Sequence, residues 1–221
     1  MSDGIVAKGV TKKFGSNVVL DDLCVTMESG LIHGLLGNNG VGKSVLLKCI
    51  CALLPIDAGI ISVNGQHMKV GKPAVPTLGV VMEQTNFIPN LSGYKNLTYL
   101  ITGKRRCGNE LAKQAMEMVG LNAKSKIPVS QYSLGMRQCL AIAQAIMEEP
   151  EVLILDQPFN GLDYHAFENV KLLIQALKKR GTTVLLTSHK ESDIYDLCDT
   201  IYILERGMLK CRSCDRGGRQ L

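Results

Sequence analysis

Long apolar runs are missing from this 221-residue sequence. No stretch approaches the roughly eighteen consecutive apolar residues a membrane helix needs, so a soluble chain is expected. A secretory leader is missing as well. Met1-Ser2-Asp3-Gly4 opens with no charged region followed by an apolar one, which points to the cytosol. Strong charge is absent: 25 basic against 20 acidic side chains leave a net charge of +5, too mild to argue for nucleic acid. The basic residues gathered between Arg206 and Arg219 read as a solvated tail. Internal repeats and low-complexity segments are lacking too. Cysteine is not scarce, at eight, but a cytosolic chain keeps thiols. Cys24, Cys49, Cys51, Cys139 and Cys198 sit among apolar neighbours and read as core. Cys211-x-x-Cys214 has no second pair and no suitably placed His, so it offers half of a four-ligand zinc set. What remains is an ordinary globular composition, 46% hydrophobic and 20% charged. It suits one large domain or two subdomains sharing a site.

Against that background Gly37-Asn38-Asn39-Gly40-Val41-Gly42-Lys43-Ser44 stands out, fitting G-x-x-x-x-G-K-[ST] at every fixed position. Leu31-Ile32-His33-Gly34-Leu35-Leu36 before it reads as a buried strand. The apolar-rich run from Val45 to Leu54 reads as a helix stopped by Pro55. The glycines let successive backbone N–H groups point into one concavity, and the helix start adds its positive end. Lys43 brings a mobile cation to the outer phosphates, and the Ser44 hydroxyl suits one position on Mg²⁺. A nucleoside triphosphate is the expected ligand.

Residues 4–28 pattern as strands with a turn near Gly15-Ser16-Asn17. Phe14 is either a core aromatic or a platform for a base, and position alone favours core. Ile60 to Val63 reads as a strand entering the Asn64-Gly65 turn, and Leu78 to Met82 as a strand with Glu83-Gln84 at its end. Helical patterns follow: Asn109 to Val119 stopped by Gly120, and Leu134 to Glu149 capped by Ser133 and closed by Pro150. Tyr132-Ser133-Leu134-Gly135-Met136, read alone, is a capped helix start. Val152 to Asp156 is an apolar strand ending in a carboxylate, a frequent place for a Mg²⁺ partner. Turn residues lead to Leu162-Asp163 and a helix with Phe167, Val170, Leu173 or Ile174, and Leu177 on one face, capped by Gly181. Thr183 to Thr187 is a strand ending at Ser188-His189. A lone histidine there is usually structural, but its place at a strand end raises its odds of function. Thr200–Leu204 and Met208–Cys211 read as a terminal hairpin.

In this order the motifs resemble the ATP-binding subunit of an ABC transporter over nearly the whole chain. The resemblance implies an α/β fold: a P-loop NTPase core with a mainly parallel sheet, an antiparallel β subdomain and an inserted α-helical subdomain. It implies a single domain over 1–221, with 1–84 and 150–221 as core and 85–149 as the helical part. ATP and Mg²⁺ are the implied cofactors. Phe14 would stack on adenine; Ser44 and Gln84 would ligand Mg²⁺, with Asp156 acting on it mainly through water. Ser133, Gly135 and Met136 would form the signature that meets the γ-phosphate held by a second copy. Asp163 would lie in the loop crossing that interface, and His189 would be the switch at the γ-phosphate. The implied partners are a second copy in a head-to-tail, ATP-dependent dimer and a transmembrane permease subunit, which would hold the chain at the inner face of the membrane. Nucleic acid is not expected: related DNA-repair and translation ATPases carry coiled-coil insertions or tandem cassettes, for which 221 residues leave no room.

Two positions depart from the family pattern. The usual LSGGQ reads Tyr132-Ser133-Leu134-Gly135-Met136, which looks like the variant of bacitracin- and lantibiotic-type export ATPases. Gln157 stands where the catalytic glutamate is expected, and an amide takes no proton from water. Two readings follow: a transport ATPase with impaired hydrolysis, or an ATP-gated regulatory subunit that does not hydrolyse.

Overall fold

The computed structural model describes residues 3–71, 78–82, 86–101, 108–188 and 190–213. Three strands are buried at every position: β3 (Ile32–Leu36), β7 (Val152–Leu155) and β8 (Thr183–Thr187). Strands covered on both faces are unbroken apolar runs rather than alternating ones, and such strands pair in parallel. They do so here. With β6 (Leu78–Val81), β9 (Thr200–Glu205) and β10 (Met208–Ser213) they form a six-stranded sheet in the order β10-β9-β3-β8-β7-β6, parallel except for the β9–β10 hairpin.

A second, antiparallel sheet has the order β2-β1-β4-β5. It is built from β1 (Asp3–Phe14), β2 (Asn17–Glu28), β4 (Ala58–Val63) and β5 (Gln66–His67). Along β2 the buried residues are Leu20, Leu23 and Met27, spacings a regular strand cannot hold on one face. Irregularities in the β1–β2 register, with Asp22 at φ 45°, reset the alternation so that all three face the core.

Helix α1 (Lys43–Ile50) packs between the two sheets. Leu46, Leu47, Cys49 and Ile50 share one core with Ile5, Val10 and Leu20 of the antiparallel sheet and with Leu35, Ile154 and Leu185 of the parallel one. It starts two residues before the predicted Val45, because Gly42 at φ 114° turns directly into it. It ends at Ile50, short of Leu54, with Ala52 in a left-handed conformation.

Between β6 and β7 lie α2 (Gly93–Leu100), α3 (Gly108–Met118) and α4 (Leu134–Ile146). They build a second core with one face of the sheet and with α5 (Tyr164–Lys179). Helix α4 stops at Ile146 rather than Glu149; Glu149 has φ 52° and Pro150 follows. A short α6 (Glu191–Tyr195) precedes β9. Among the described residues no helix is long and apolar enough to cross a membrane. Cys24 departs from the expected core set. It lies on the outer face of β2, exposed, with the Gly9 N–H donating to its sulfur at 3.1 Å. Cys49, Cys51, Cys139 and Cys198 are buried as expected. Cys214 lies outside the described residues, and the exposed Cys211 is a free thiol.

Candidate functional site

Because β3, β8 and β7 run parallel and adjacent, their C-terminal ends fall on one edge of the sheet, where open α/β sheets bind ligands. From the end of β3 the chain enters residues 37–42 and then α1. The glycines here are required sterically. A Cβ on Gly37 would sit 2.7 Å from the Leu204 carbonyl oxygen, and one on Gly42 would sit 2.7 Å from the Val19 side chain. Among the described residues no side chain caps the start of α1, which leaves its first N–H groups available to an anion. Lys43 is 5% exposed and donates from Nζ to the carbonyl oxygens of Gly37 (2.6 Å) and Asn38 (3.0 Å). Burial lowers its pKa from the ordinary lysine value, and the charge of Asp156 opposes that shift. Ser44, next in the helix, is half-buried.

At the end of β7, Asp156 is 1% exposed, and its N–H donates to the Val81 carbonyl at 2.8 Å. Its Oδ1 accepts a 2.7 Å bond from Thr187 Oγ1, whereas Oδ2 finds no hydrogen-bond partner among the described residues. A buried carboxylate oxygen left without a donor is a costly arrangement in isolation, and a cation resolves it. The site therefore suits Mg²⁺. Thr187 also accepts the Gln157 N–H at 2.8 Å, so one hydroxyl ties the ends of β7 and β8 together. Gln157 has φ 54°, in the left-handed region, a strain of the kind that gathers at functional sites. Asn160 Nδ2 donates to Gln157 Oε1, and Gln138 Nε2 of α4 reaches the Gln157 carbonyl at 3.5 Å.

Ser133 accepts the Met136 N–H at 3.1 Å and caps α4 as predicted; Asp163 accepts the Ala166 N–H at 2.8 Å and caps α5. Gly135 is packed so closely on the loop after β7 that a Cβ would lie 2.7 Å from the Gly161 carbonyl oxygen. Ser133 is exposed. Phe14 is 49% exposed at the tip of the β1–β2 hairpin, which overturns the positional reading of a core aromatic. Lys43, Asp156 and Gln157 thus share one edge, and α4 touches it through Gln138. Gln84 and His189 lie outside the described residues. Sequence reasoning passed over Thr187, Asn160 and Gln138. A threonine ending a β-branched run looks like strand propensity alone, and the two amides carry no spacing signal.

Fold, glycine loop and strand-end carboxylate define a P-loop protein of the nucleoside-triphosphate-binding class. The family model described as ABC transporter matches residues 20–160, and the chain belongs to that family as the ATP-binding subunit of a transporter. It is 36% identical over 215 residues to an uncharacterized ABC transporter ATP-binding protein, YdbJ, of Bacillus subtilis (strain 168), covering 96% of this chain and 70% of that one. It is 35% identical over 207 residues to the bacitracin transport ATP-binding protein BcrA of Enterococcus faecalis, covering 93% and 67%. Among solved structures, the dimeric post-hydrolysis state of the ATP-binding cassette MJ0796 bound to ADP and Pi matches with a TM-score of 0.86 at 24% identity, covering 97% of this chain and all of that one. At that identity the likeness speaks for the fold. Members of the family bind ATP, typically with Mg²⁺, and pair with transmembrane permease components.

Proposed function

We propose that this chain powers an exporter of peptide or antibiotic-like substrates, closing head to tail with a second copy over two ATP molecules, and that Gln157 impairs its hydrolysis. The observation that carries the proposal is the strand-end cluster. Buried Lys43, an Asp156 oxygen with no donor among the described residues and a strained Gln157 stand on one edge, and Thr187 bridges the last two. The 35% identity to proteins named for bacitracin transport supports the substrate class. The division into a core over 1–84 and 150–221 and a helical part over 85–149 is part of the same reading.

In this reading the backbone of residues 37–44 cradles the phosphates, Lys43 neutralises the outer ones, and Phe14 stacks on adenine. Ser44, Gln84 and Asp156 would hold Mg²⁺, which when bound neutralises charge developing on the phosphates. Ser133, Gly135 and Met136 serve the nucleotide of the opposite copy, Asp163 lines the interface and His189 contacts the γ-phosphate. Ser133 is exposed at an N-terminal helix end, which suits an anion carried by a second molecule. Two equivalent composite sites follow from a twofold dimer.

The chemical deficit is at Gln157, which offers no carboxylate to deprotonate water. General-base help is worth roughly 10²–10⁴-fold, about 3–5 kcal/mol of barrier. Gln157→Glu is therefore expected to raise ATP turnover at least about a hundredfold and to shorten the life of the ATP-bound dimer. Affinity for a non-hydrolysable analogue should stay put. Unchanged turnover with dimerisation intact would refute the proposal and favour the second reading, an ATP-gated regulatory subunit.

A further inference from the structure

The tip of the β1–β2 hairpin is fastened at two places, the start of α1 and the turn that leads into β4. At the start of the helix, Gly42 is pressed against Val19, two residues along β2 from Asn17, the register partner of Phe14. Past the end of the helix, Asp57 takes hold of the three residues that precede Phe14. Its N–H donates to the Thr11 carbonyl at 2.9 Å; its Oδ2 accepts the Lys13 N–H at 2.6 Å; its Oδ1 accepts from Lys12 Nζ at 3.3 Å.

Lys12 itself is unusual, a lysine 6% exposed beneath a surface hairpin. Its ammonium lies 5.4 Å from the centroid of the Phe14 ring, within cation–π range. Its charge is felt by Cys49 of α1, whose thiol burial pushes up to about 11 against the pull of this ammonium. The chain has buried a cation between a carboxylate and one aromatic face. Nothing in the phosphate loop needs it there. The Asp57 carboxyl is held below the usual carboxylate range, first by the Lys13 N–H and then by Lys12, so the partner charge is secure.

We propose that Lys12, pinned by Asp57, is a positioning residue for nucleotide recognition: it covers one face of Phe14 and leaves the other for a purine base. The proposal rests on Phe14 being the base platform. An ammonium on one face draws ring density toward itself and leaves the opposite face electron-poorer, which favours stacking by an electron-rich purine. It also helps to fix the ring's tilt relative to the phosphate loop, because Asp57 holds one strand of the hairpin and Gly42, at the end of that loop, packs against Val19 of the other.

The test is a titration of the full chain with Mg-ATP and, separately, with Mg-tripolyphosphate, which has no base. Lys12→Met keeps the buried stem and should weaken ATP about three- to tenfold while leaving tripolyphosphate unchanged. Lys12→Arg should recover most of the loss. Asp57→Asn, which leaves the lysine in place, should shift the ratio in the same direction and serves if the methionine variant does not fold. In a Phe14→Ala background, Lys12→Met should add nothing. Equal weakening of both ligands by Lys12→Met and Asp57→Asn would show a merely structural role and overturn the proposal, as would full additivity with Phe14→Ala. A large effect of Phe14→Ala with none from Lys12→Met sinks the brace alone. No change in the ATP-to-tripolyphosphate ratio on Phe14→Ala sinks the base-platform reading itself, and the brace with it.

Discussion

Thr187→Val keeps the outline of a fully buried side chain and deletes one hydroxyl. That hydroxyl donates to Asp156 Oδ1 at 2.7 Å and accepts the Gln157 N–H at 2.8 Å. Losing a donor to a carboxylate costs about 1.5–3 kcal/mol, and stranding a buried N–H costs about 1–3 kcal/mol. The two losses share one atom and one relaxation, so about 3–4 kcal/mol is the expected total. Asp156 has no reserve, because its Oδ2 already lacks a partner among the described residues. In urea unfolding followed by circular dichroism, with a slope near ~3 kcal/mol/M, the midpoint should drop by about 1 M. Thr187→Ser keeps the hydroxyl and loses only a methyl group, about 0.5–1.5 kcal/mol by analogy with Ile→Val. Added Mg²⁺ should recover part of the valine variant's loss if the metal engages Asp156. Equal destabilisation by valine and serine, or a valine cost under ~1 kcal/mol, would refute the idea that this hydroxyl holds the strand-end cluster together.

Lys43→Ala should abolish tight ATP binding in isothermal titration while the unfolding midpoint moves little; a fully retained affinity would contradict the phosphate role of the loop. Ser133→Arg should block ATP-dependent dimerisation in sedimentation yet leave ATP binding to the monomer intact. Gly42→Ala places a methyl group 2.7 Å from Val19 at φ 114°, so a loss of about 1–3 kcal/mol is expected in thermal or urea unfolding. Burial raises the thiol pKa to about 11 at Cys49 and Cys139 and about 12 at Cys51. The neutral thiol is favoured in the folded chain. This contribution is therefore complete below the unfolded value of 9.0 and is lost as pH rises toward 11 to 12. Peptide-resolved alkylation at pH 8 should accordingly label exposed Cys24 and Cys211 well before these three.

The elements most legible in the sequence were those with a single physical cause. Val152 to Leu155 is apolar throughout and Thr183 to Thr187 is β-branched or apolar at every position, the pattern of strands buried on both faces. Gly37 is required by the close Leu204 carbonyl and Gly42 by its positive φ and the Val19 side chain, so their pattern carried over intact to the loop. Ser133 and Asp163 could be placed at helix starts because a capping oxygen is a local requirement. The misses came from long-range packing. Cys24 sits among apolar neighbours in sequence yet on the outer face, because the bulge at Asp22 resets which residues point inward. Phe14 looked like core for the same reason: only the tip of a hairpin and a cation beneath it explain an exposed aromatic. Thr187 gained its role from standing beside β7 in space, some thirty residues away in sequence.

The strand order also bears on how the protein is made. Strand β3, which delivers the phosphate loop, is flanked in the sheet by β8 and β9, and both follow it far along the sequence. Until residues 183–205 emerge, β3 has neither of these neighbours and two bare backbone edges. Strands β6 and β7, by contrast, can pair as soon as β7 is made. Non-local parallel pairing of this kind is slow and leaves edges open to wrong partners. Insertion of β8 closes the gap, and with it the Thr187 hydroxyl arrives beside Asp156. A nascent chain halted before residue 183 thus carries an intact glycine motif without the strands that flank β3 or the Thr187 hydroxyl beside Asp156. Nucleotide capture during synthesis should mark the moment the central sheet closes.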